Sequence, residues 1–110
     1  SVHERGRVIL VPVEQVIYLK AELKYITVRT VEREYLIEES LTALEEEFGE
    51  RFVRIHRNAL VARDSIGGFE RVAQVESEGG DPYWQVVLRE ITERLPVSRR
   101  QWSMVKGLVS

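Results

Sequence analysis

Short apolar runs separated by polar turns recur along the whole chain. Residues 8–11 and 16–19 are strongly apolar, and residues 25–30 alternate between apolar and polar positions. Runs of this length that are rich in β-branched and aromatic residues are typical of β-strands. The same pattern predicts further strands at residues 34–37, 52–55, 59–61, 65–69, 72–75, 83–88 and 95–97, with a bulge at Gly67-Gly68 and a loop at 77–82.

The spacing of apolar residues changes after residue 39. Ser40 is a suitable N-cap, and Leu41, Leu44 and Phe48 recur at the spacing of one helix face. Gly49 follows as a stop signal. The pattern therefore predicts one internal helix whose glutamates form a solvated face.

A second helix is predicted at the C-terminus. Ser98 is its N-cap, and Trp102, Val105 and Leu108 recur on one face. No strand-helix-strand repeat is present, so a parallel sheet is not expected. The chain is predicted to be mostly β, with antiparallel short strands, one internal helix and one short C-terminal helix.

Length and composition fit a single globular domain. The chain has 110 residues, of which 44% are hydrophobic, and it contains no cysteine, which excludes disulfides and zinc-thiolate sites. No apolar run approaches the length of a membrane span, and no signal peptide is visible. We expect a cytoplasmic protein in which residues 1–7 are a flexible linker remnant and residues 8–110 form the domain.

Charges are strongly segregated although the net charge is only −2. Residues 32–50 carry eight acids and one cation, whereas residues 51–63 carry four arginines and no acid. Residues 94–106 also carry four cations and no acid. Screening at physiological salt acts over about 8 Å, so local clusters matter more than the sum. This distribution favours a basic face that meets a polyanion.

Two polar tips stand out within the basic stretches. His56, Arg57 and Asn58 lie between two apolar runs and are predicted to form an exposed turn. Arg99 and Arg100 follow the cap of the C-terminal helix, where unpaired N–H groups already favour an anion. The alternative is an ordinary surface hairpin whose arginines keep the chain soluble.

Catalytic chemistry has little support in the sequence. The chain has two histidines; His3 lies near the terminus, and His56 has no cysteine or histidine partner in a recognisable motif. Gly67-Gly68 and Gly79-Gly80 lack the lysine and helix of a phosphate-binding loop. The sequence predicts no enzyme activity, no cofactor and no metal.

Four segments together resemble one family. Residues 52–61, FVRIHRNALV, are similar to the F-x-R-x-H-R-[SN] segment of LytTR DNA-binding domains, and residues 95–100, LPVSRR, resemble their L-x-V-S-R segment. Residues 16–25 resemble their I-x-Y-x-x-A-x-x-x-Y segment, and the helix after Ser40 occupies the place of the family's internal helix. The resemblance extends over residues 8–109 and is strongest to the alginate-regulator branch.

The resemblance implies an elongated fold of about ten strands in small sheets. It also implies the C-terminal output domain of a two-component response regulator, preceded in the full protein by a phosphorylatable receiver domain. Relatives control transcription by binding double-stranded DNA at paired direct repeats, with loops that enter successive major grooves and bend the duplex. Isolated domains of this kind are expected to pair only on DNA.

The matching segments also imply site residues. Base contacts fall on Arg57, on Arg99, and on Lys24 or Tyr25 in the first loop, because arginine can bind O6 and N7 of guanine bidentately. Contacts to the DNA backbone are expected from Asn58, Arg100, His56, Arg54 and Arg63.

Two other functions are compatible with the same residues. A non-catalytic β domain could bind an acidic protein partner, or dimerise by placing the glutamate-rich helix of one copy on the basic loops of another. A hydrolase or nucleotide-binding enzyme is the third option, and it would require turnover dependent on a divalent metal. Preference for one DNA sequence over another would distinguish sequence-specific DNA binding from both of these alternatives.

Overall fold

A computed structural model describes residues 1–73 and 81–109. Within these residues the chain forms ten strands and two α-helices, and the molecule is elongated, measuring 49 × 32 × 24 Å. The elements are β1 (Val2–Glu4), β2 (Arg7–Ile9), β3 (Tyr18–Glu22), β4 (Tyr25–Arg29), β5 (Glu34–Ile37), α1 (Leu41–Phe48), β6 (Phe52–His56), β7 (Ala59–Ala62), β8 (Ile66–Val72), β9 (Tyr83–Leu88), β10 (Arg94–Val97) and α2 (Arg99–Val109). Single 3-10 turns occupy Val13–Gln15, Gly49–Arg51 and Arg63–Ser65. The predicted fold class is confirmed.

The central element is a five-stranded antiparallel sheet in the order β5-β4-β3-β7-β6. Its side chains alternate between two buried faces. Leu19 and Leu60 are paired across β3 and β7 and face α1, whereas the neighbouring pair Tyr18 and Val61 faces the opposite side. The sheet is therefore covered on both faces, which explains why even the polar Thr27 of β4 is buried.

Helix α1 covers one face of the five-stranded sheet. The Ser40 hydroxyl accepts a hydrogen bond from the Ala43 N–H at 2.9 Å, and Gly49 ends the helix with a φ of +56°. Leu41 and Leu44 are buried against the sheet, and the ring of Phe48 meets that of Phe52 edge to face. The predicted cap, buried face and stop of this helix are all observed.

A three-stranded antiparallel sheet, ordered β10-β9-β8, and α2 cover the other face. Ile55 of β6 packs there with Val86, Leu95 and Val105 in one buried cluster. The two strands predicted at 65–69 and 72–75 differ from the structure, because residues 66–72 form the single strand β8 with an irregularity between Ile66 and Gly68. Residues 74–80, which include most of the predicted loop at 77–82, lie outside the described residues.

The flexibility predicted for residues 1–7 is not observed, because these residues belong to a pair of antiparallel strands. Strands β1 and β2 pair as a hairpin through the two-residue turn Arg5-Gly6, in which both residues have positive φ, as tight hairpin turns require. Val2 is buried, and Glu4 forms an ion pair with Arg33. Strands of three residues are too short to give a periodic sequence pattern. Gly6 was the one sequence signal that could have predicted this hairpin turn.

Strand boundaries shift by one to three residues elsewhere. The run at 8–11 contributes only its first half to β2, and β3 begins at Tyr18 and continues to Glu22. Before β3 the backbone already joins the sheet, because the Ile17 N–H donates to the Arg29 carbonyl at 2.8 Å. All four residues of the run at 16–19 are buried, whereas Val8 and Leu10 of the run at 8–11 are exposed, so apolar character predicted burial only for the run at 16–19.

Tyr18 links the two sheets at the end where β3 begins. Its hydroxyl, on an almost wholly buried ring, donates to the Glu93 carboxylate at 2.8 Å, and Glu93 lies in the connection between β9 and β10. Burial, together with the hydrogen bond and the negative charge of Glu93, raises the pKa of Tyr18 above its ordinary value. The neutral phenol is therefore the stable form in the folded chain.

We predict that Tyr18→Phe lowers the free energy of unfolding by about 1–2 kcal/mol at pH 7, because a hydrogen bond to a charged acceptor is lost. The measurement is urea denaturation, with the exposed Tyr83→Phe as the matched control. The raised pKa stabilises the fold fully below about pH 10 and progressively less as pH rises toward the folded-state pKa. Wild type should therefore lose more stability above pH 10 than Tyr18→Phe, and equal stability of the two proteins at both pH values would contradict this role.

Candidate nucleic-acid interface

Register places three connections at one end of the molecule. Strand β3 pairs with β7 so that Lys20 lies opposite Ala59, the first residue after the β6–β7 turn. Strands β3 and β4 end their pairing at Glu22 and Tyr25, at this same end. The Ser98 N–H donates to the Ile55 carbonyl at 2.8 Å, which places the start of α2 beside the C-terminal end of β6. We call this set of connections the turn end.

The turn between β6 and β7 is fixed by two hydrogen bonds of the Asn58 backbone. The Asn58 N–H donates to Nδ1 of His56 at 3.3 Å, and the Asn58 carbonyl accepts from the Ala21 N–H at 2.8 Å. Arg57 and Asn58 are exposed at the tip, whereas Ile55 and Ala59 on either side are buried. Two buried anchors thus hold the guanidinium of Arg57 toward solvent.

The start of α2 is equally well anchored. The Ser98 hydroxyl accepts from the Gln101 N–H at 3.2 Å, which confirms the predicted cap. Trp102 stacks on Trp84 with ring centroids 4.3 Å apart, and the ring of Phe69 meets it edge to face at 5.3 Å. Arg99 and Arg100 therefore project from a helix start whose position is set by aromatic packing.

The third connection is the two-residue turn between β3 and β4. Lys24 is exposed and Tyr25 is half-buried, and Nζ of Lys24 lies 5.5 Å from the centre of the Tyr25 ring. This contact between a cation and an aromatic face keeps the two predicted side chains together. The turn end therefore brings together seven of the nine predicted site residues: Lys24, Tyr25, His56, Arg57, Asn58, Arg99 and Arg100.

The structure does not bring Arg54 and Arg63 to the turn end. Arg54 forms an ion pair with Glu45 of α1 at 3.3 Å, and its Nη1 atom is buried. Arg63 follows β7 at the opposite end of the strand, where its Nε donates to the Glu50 carbonyl at 2.9 Å. The segment's high arginine content predicted a shared face, but strand alternation and direction separate these two side chains from Arg57.

Asp81 is a neighbour of the site that sequence analysis did not identify. Its carboxylate lies 2.9 Å from Nη2 of Arg99, and both side chains are largely exposed. By contrast, Arg57 and Arg100 form no ion pair with a carboxylate of residues 1–73 or 81–109. The acidic composition of the sequence before β9 was the available signal, but only pairing of β9 with β10 places Asp81 beside the helix start.

The described part of the chain contains no cluster of three or more histidines, cysteines or acids that could hold a metal ion. The helices that the structure describes include none that is long and apolar enough to cross a membrane. The side chains exposed at the turn end include the guanidinium groups of Arg57, Arg99 and Arg100 and the ammonium group of Lys24, which form charge-assisted hydrogen bonds.

An elongated antiparallel β domain that presents arginines and a lysine from three fixed connections has the features of a nucleic-acid-binding module. The family model described as the LytTr DNA-binding domain matches residues 6–110, so this chain belongs to the LytTR family of DNA-binding domains. The resemblance found in the sequence is thereby confirmed.

Two comparisons support this assignment. The chain is 43% identical over 110 residues to the positive alginate biosynthesis regulatory protein of Pseudomonas aeruginosa, and the match covers 99% of this chain and 42% of that protein. A solved structure from Bacillus cereus, described as the LytTr DNA-binding domain of a methyl-accepting/DNA response regulator, superposes with a TM-score of 0.72 at 26% identity, covering 91% of this chain and 85% of the other. This chain spans less than half of the curated relative that it matches.

The Asp81–Arg99 pair should oppose DNA binding. We predict that Asp81→Asn strengthens binding to a random-sequence duplex about twofold to fivefold, because an exposed ion pair of ~0.2–1 kcal/mol no longer competes with phosphate. Fluorescence anisotropy at fixed salt measures the effect. Asp64→Asn is the matched control, because Asp64 is exposed and follows β7 at the opposite end of the sheet. Equal changes in both variants, or weaker binding by Asp81→Asn, would contradict the competition.

Proposed function

We propose that this domain binds duplex DNA sequence-specifically and controls transcription as the output domain of a two-component response regulator. The observation that supports the proposal is the convergence of exposed cations at the turn end, on backbones that buried strands hold in place. Rigid presentation matters because bidentate recognition of a base requires a guanidinium at a defined position.

Arg57 and Arg99 are the proposed base-reading residues. Both are exposed, and each projects from a connection whose neighbours on either side are fixed by hydrogen bonds or packing. An arginine that binds O6 and N7 of guanine typically contributes about 1–3 kcal/mol of discrimination. Lys24 and Tyr25, on the outermost of the three connections, would reach the neighbouring part of the duplex.

Contacts to phosphate are proposed for Asn58, Arg100 and His56. Asn58 and Arg100 adjoin the two base-reading arginines in sequence, so the phosphates that flank a contacted base are within their reach. His56 already accepts the Asn58 N–H through Nδ1, which leaves its other ring nitrogen to face outward. Arg54 and Arg63 are left out of the proposed interface because of their positions and partners.

The arrangement of the connections suits a site of two direct repeats. The two turns are separated by about 10 Å, two strand spacings along the sheet, and the helix start lies beyond them on the β6 side. A row of tips of this kind can follow one face of the duplex, so that the outer tips enter successive major grooves. Two copies of the domain would then occupy the two repeats and pair only on DNA.

The position of this domain in the full protein is also a proposal. The alginate regulatory relative is more than twice as long as the segment that this chain matches. We infer that a phosphorylatable receiver domain precedes the DNA-binding domain and that its phosphorylation controls how two copies are brought together on the repeats. The DNA-binding surface itself requires no cofactor.

The test is a comparison of two duplexes and three variants. A duplex selected by the wild-type domain from a randomised pool is titrated beside a scrambled duplex of the same composition. We predict that Arg57→Ala and Arg99→Ala each weaken binding to the selected duplex about fivefold to 150-fold, with a clearly smaller loss on the scrambled duplex, where only a non-specific contact to phosphate is removed. Arg51→Ala is the control, because Arg51 is exposed and precedes β6 at the opposite end.

Two results would oppose the proposal. Equal affinity of the wild-type domain for both duplexes would remove sequence-specific recognition and favour a domain that binds an acidic protein partner. A loss in Arg51→Ala as large as in the other two variants would instead show that the contact depends on overall charge. A selected duplex without repeats would contradict only the paired-site arrangement.

A further inference from the structure

Leu23 is the most exposed large apolar side chain among the described residues. It is fully exposed, with no shielding from the rest of the described chain. It occupies the first of the two central positions of the β3–β4 turn, between Glu22 and Lys24. An isolated exposed leucine is ordinary on a protein surface, but this one also has an unusual backbone conformation.

Leu23 has a φ of +54°, in the left-handed region that L-residues with a large side chain rarely adopt. Tight hairpin turns normally place glycine or asparagine at such a position, because these residues adopt it with little strain. Leucine therefore strains the backbone here and contributes no packing in return, since its side chain contacts solvent. When a strained conformation brings no structural benefit, the residue that adopts it is a candidate for a functional role.

The position of Leu23 at the turn end is consistent with that interpretation. The Ala21 N–H bonds to the Asn58 carbonyl, so Ala21 lies level with the tip of the β6–β7 turn. Two further residues bring the chain to Leu23, which therefore projects roughly 7 Å beyond that tip. Lys24 follows it with an exposed ammonium, suited to a flanking phosphate. Leu23 is therefore placed to touch a ligand that binds at the tip of the β6–β7 turn.

Duplex DNA offers one apolar group that a tip of this shape can read. The 5-methyl group of thymine lies in the major groove, which is about 12 Å wide and admits a two-stranded β-ribbon. The minor groove is about 6 Å wide, so the hairpin of β3 and β4 could enter it only by widening the groove and unstacking bases, whereas the major groove accepts it without that deformation.

We propose that Leu23 is a specificity-determining residue that contacts the 5-methyl group of a thymine in the major groove. This inference rests on the proposed function. It adds an apolar contact beside the hydrogen bonds of Arg57 and Arg99, and it gives the first connection a definite base to read. Lys24 and Tyr25 then hold the hairpin at the duplex by contacts to phosphate and sugar.

The experiment removes the methyl group from the DNA and the side chain from the protein. Each thymine of the selected duplex is replaced in turn by deoxyuridine, which lacks only that methyl. Wild type and Leu23→Gly are titrated against every duplex, because glycine accepts the positive φ without strain. Val31→Gly is the matched control, since Val31 is an exposed apolar residue in the β4–β5 turn at the opposite end of the same sheet.

One deoxyuridine substitution should weaken wild-type binding about fourfold, the effect expected for one buried methyl group. Val31→Gly should show the same loss, and Leu23→Gly should show none, while its thermal midpoint stays equal to or above that of wild type. Loss of the uracil effect in Leu23→Gly alone supports the proposal.

Three results would overturn it. Wild type could be insensitive to every deoxyuridine substitution, or Leu23→Gly could retain the same sensitivity as wild type. In both cases a sequence preference that still depends on Arg57 would leave the proposed function standing, and only the role of Leu23 would fail. If the wild-type domain selects no sequence at all, both inferences fail together.

Discussion

Burial of both faces of the five-stranded sheet is the constraint on which the rest of the structure depends. Ile55, Leu60 and Val61 are fully buried, and their side chains alternate between the α1 core and the core beneath the three-stranded sheet. A slip of one residue in register would exchange the two sets of side chains. Because truncating such a side chain costs about 2–5 kcal/mol, the register is strongly fixed, and so is each turn that connects the strands.

The proposed DNA-binding residues lie where burial ends. At the turn end the polar tips between buried strands carry arginine and lysine, whereas the acidic residues that follow β5 lie largely on α1 and its flanks. Arg54 does not follow this distribution. It lies one residue before the buried Ile55 and forms an ion pair with Glu45 of α1. Strand alternation thus divides the cations of one basic segment into residues proposed to bind DNA and residues that hold the fold.

The sequence predicted the elements that have strong local signals. Ser40 and Gly49 defined α1, Ser98 defined the start of α2, and the tip at Arg57 followed from its apolar flanks. Three-residue strands such as β1, the continuity of β8 and the location of Arg63 depend on pairing between distant segments, which local pattern does not encode. Leu23 and Asp81 were missed for a related reason, since a positive φ and an ion pair across the chain become visible only in three dimensions.

The central proposal is that the turn end meets DNA. Backbone amide NMR shifts of the 15N-labelled domain, recorded with and without a selected duplex, test it directly. The account predicts large changes at Leu23–Tyr25, at His56–Asn58 and at Ser98–Arg100, with little change in α1 or in the turn after Arg29. Large changes confined to α1 and the turn after Arg29 would contradict the account, because those residues lie away from the turn end.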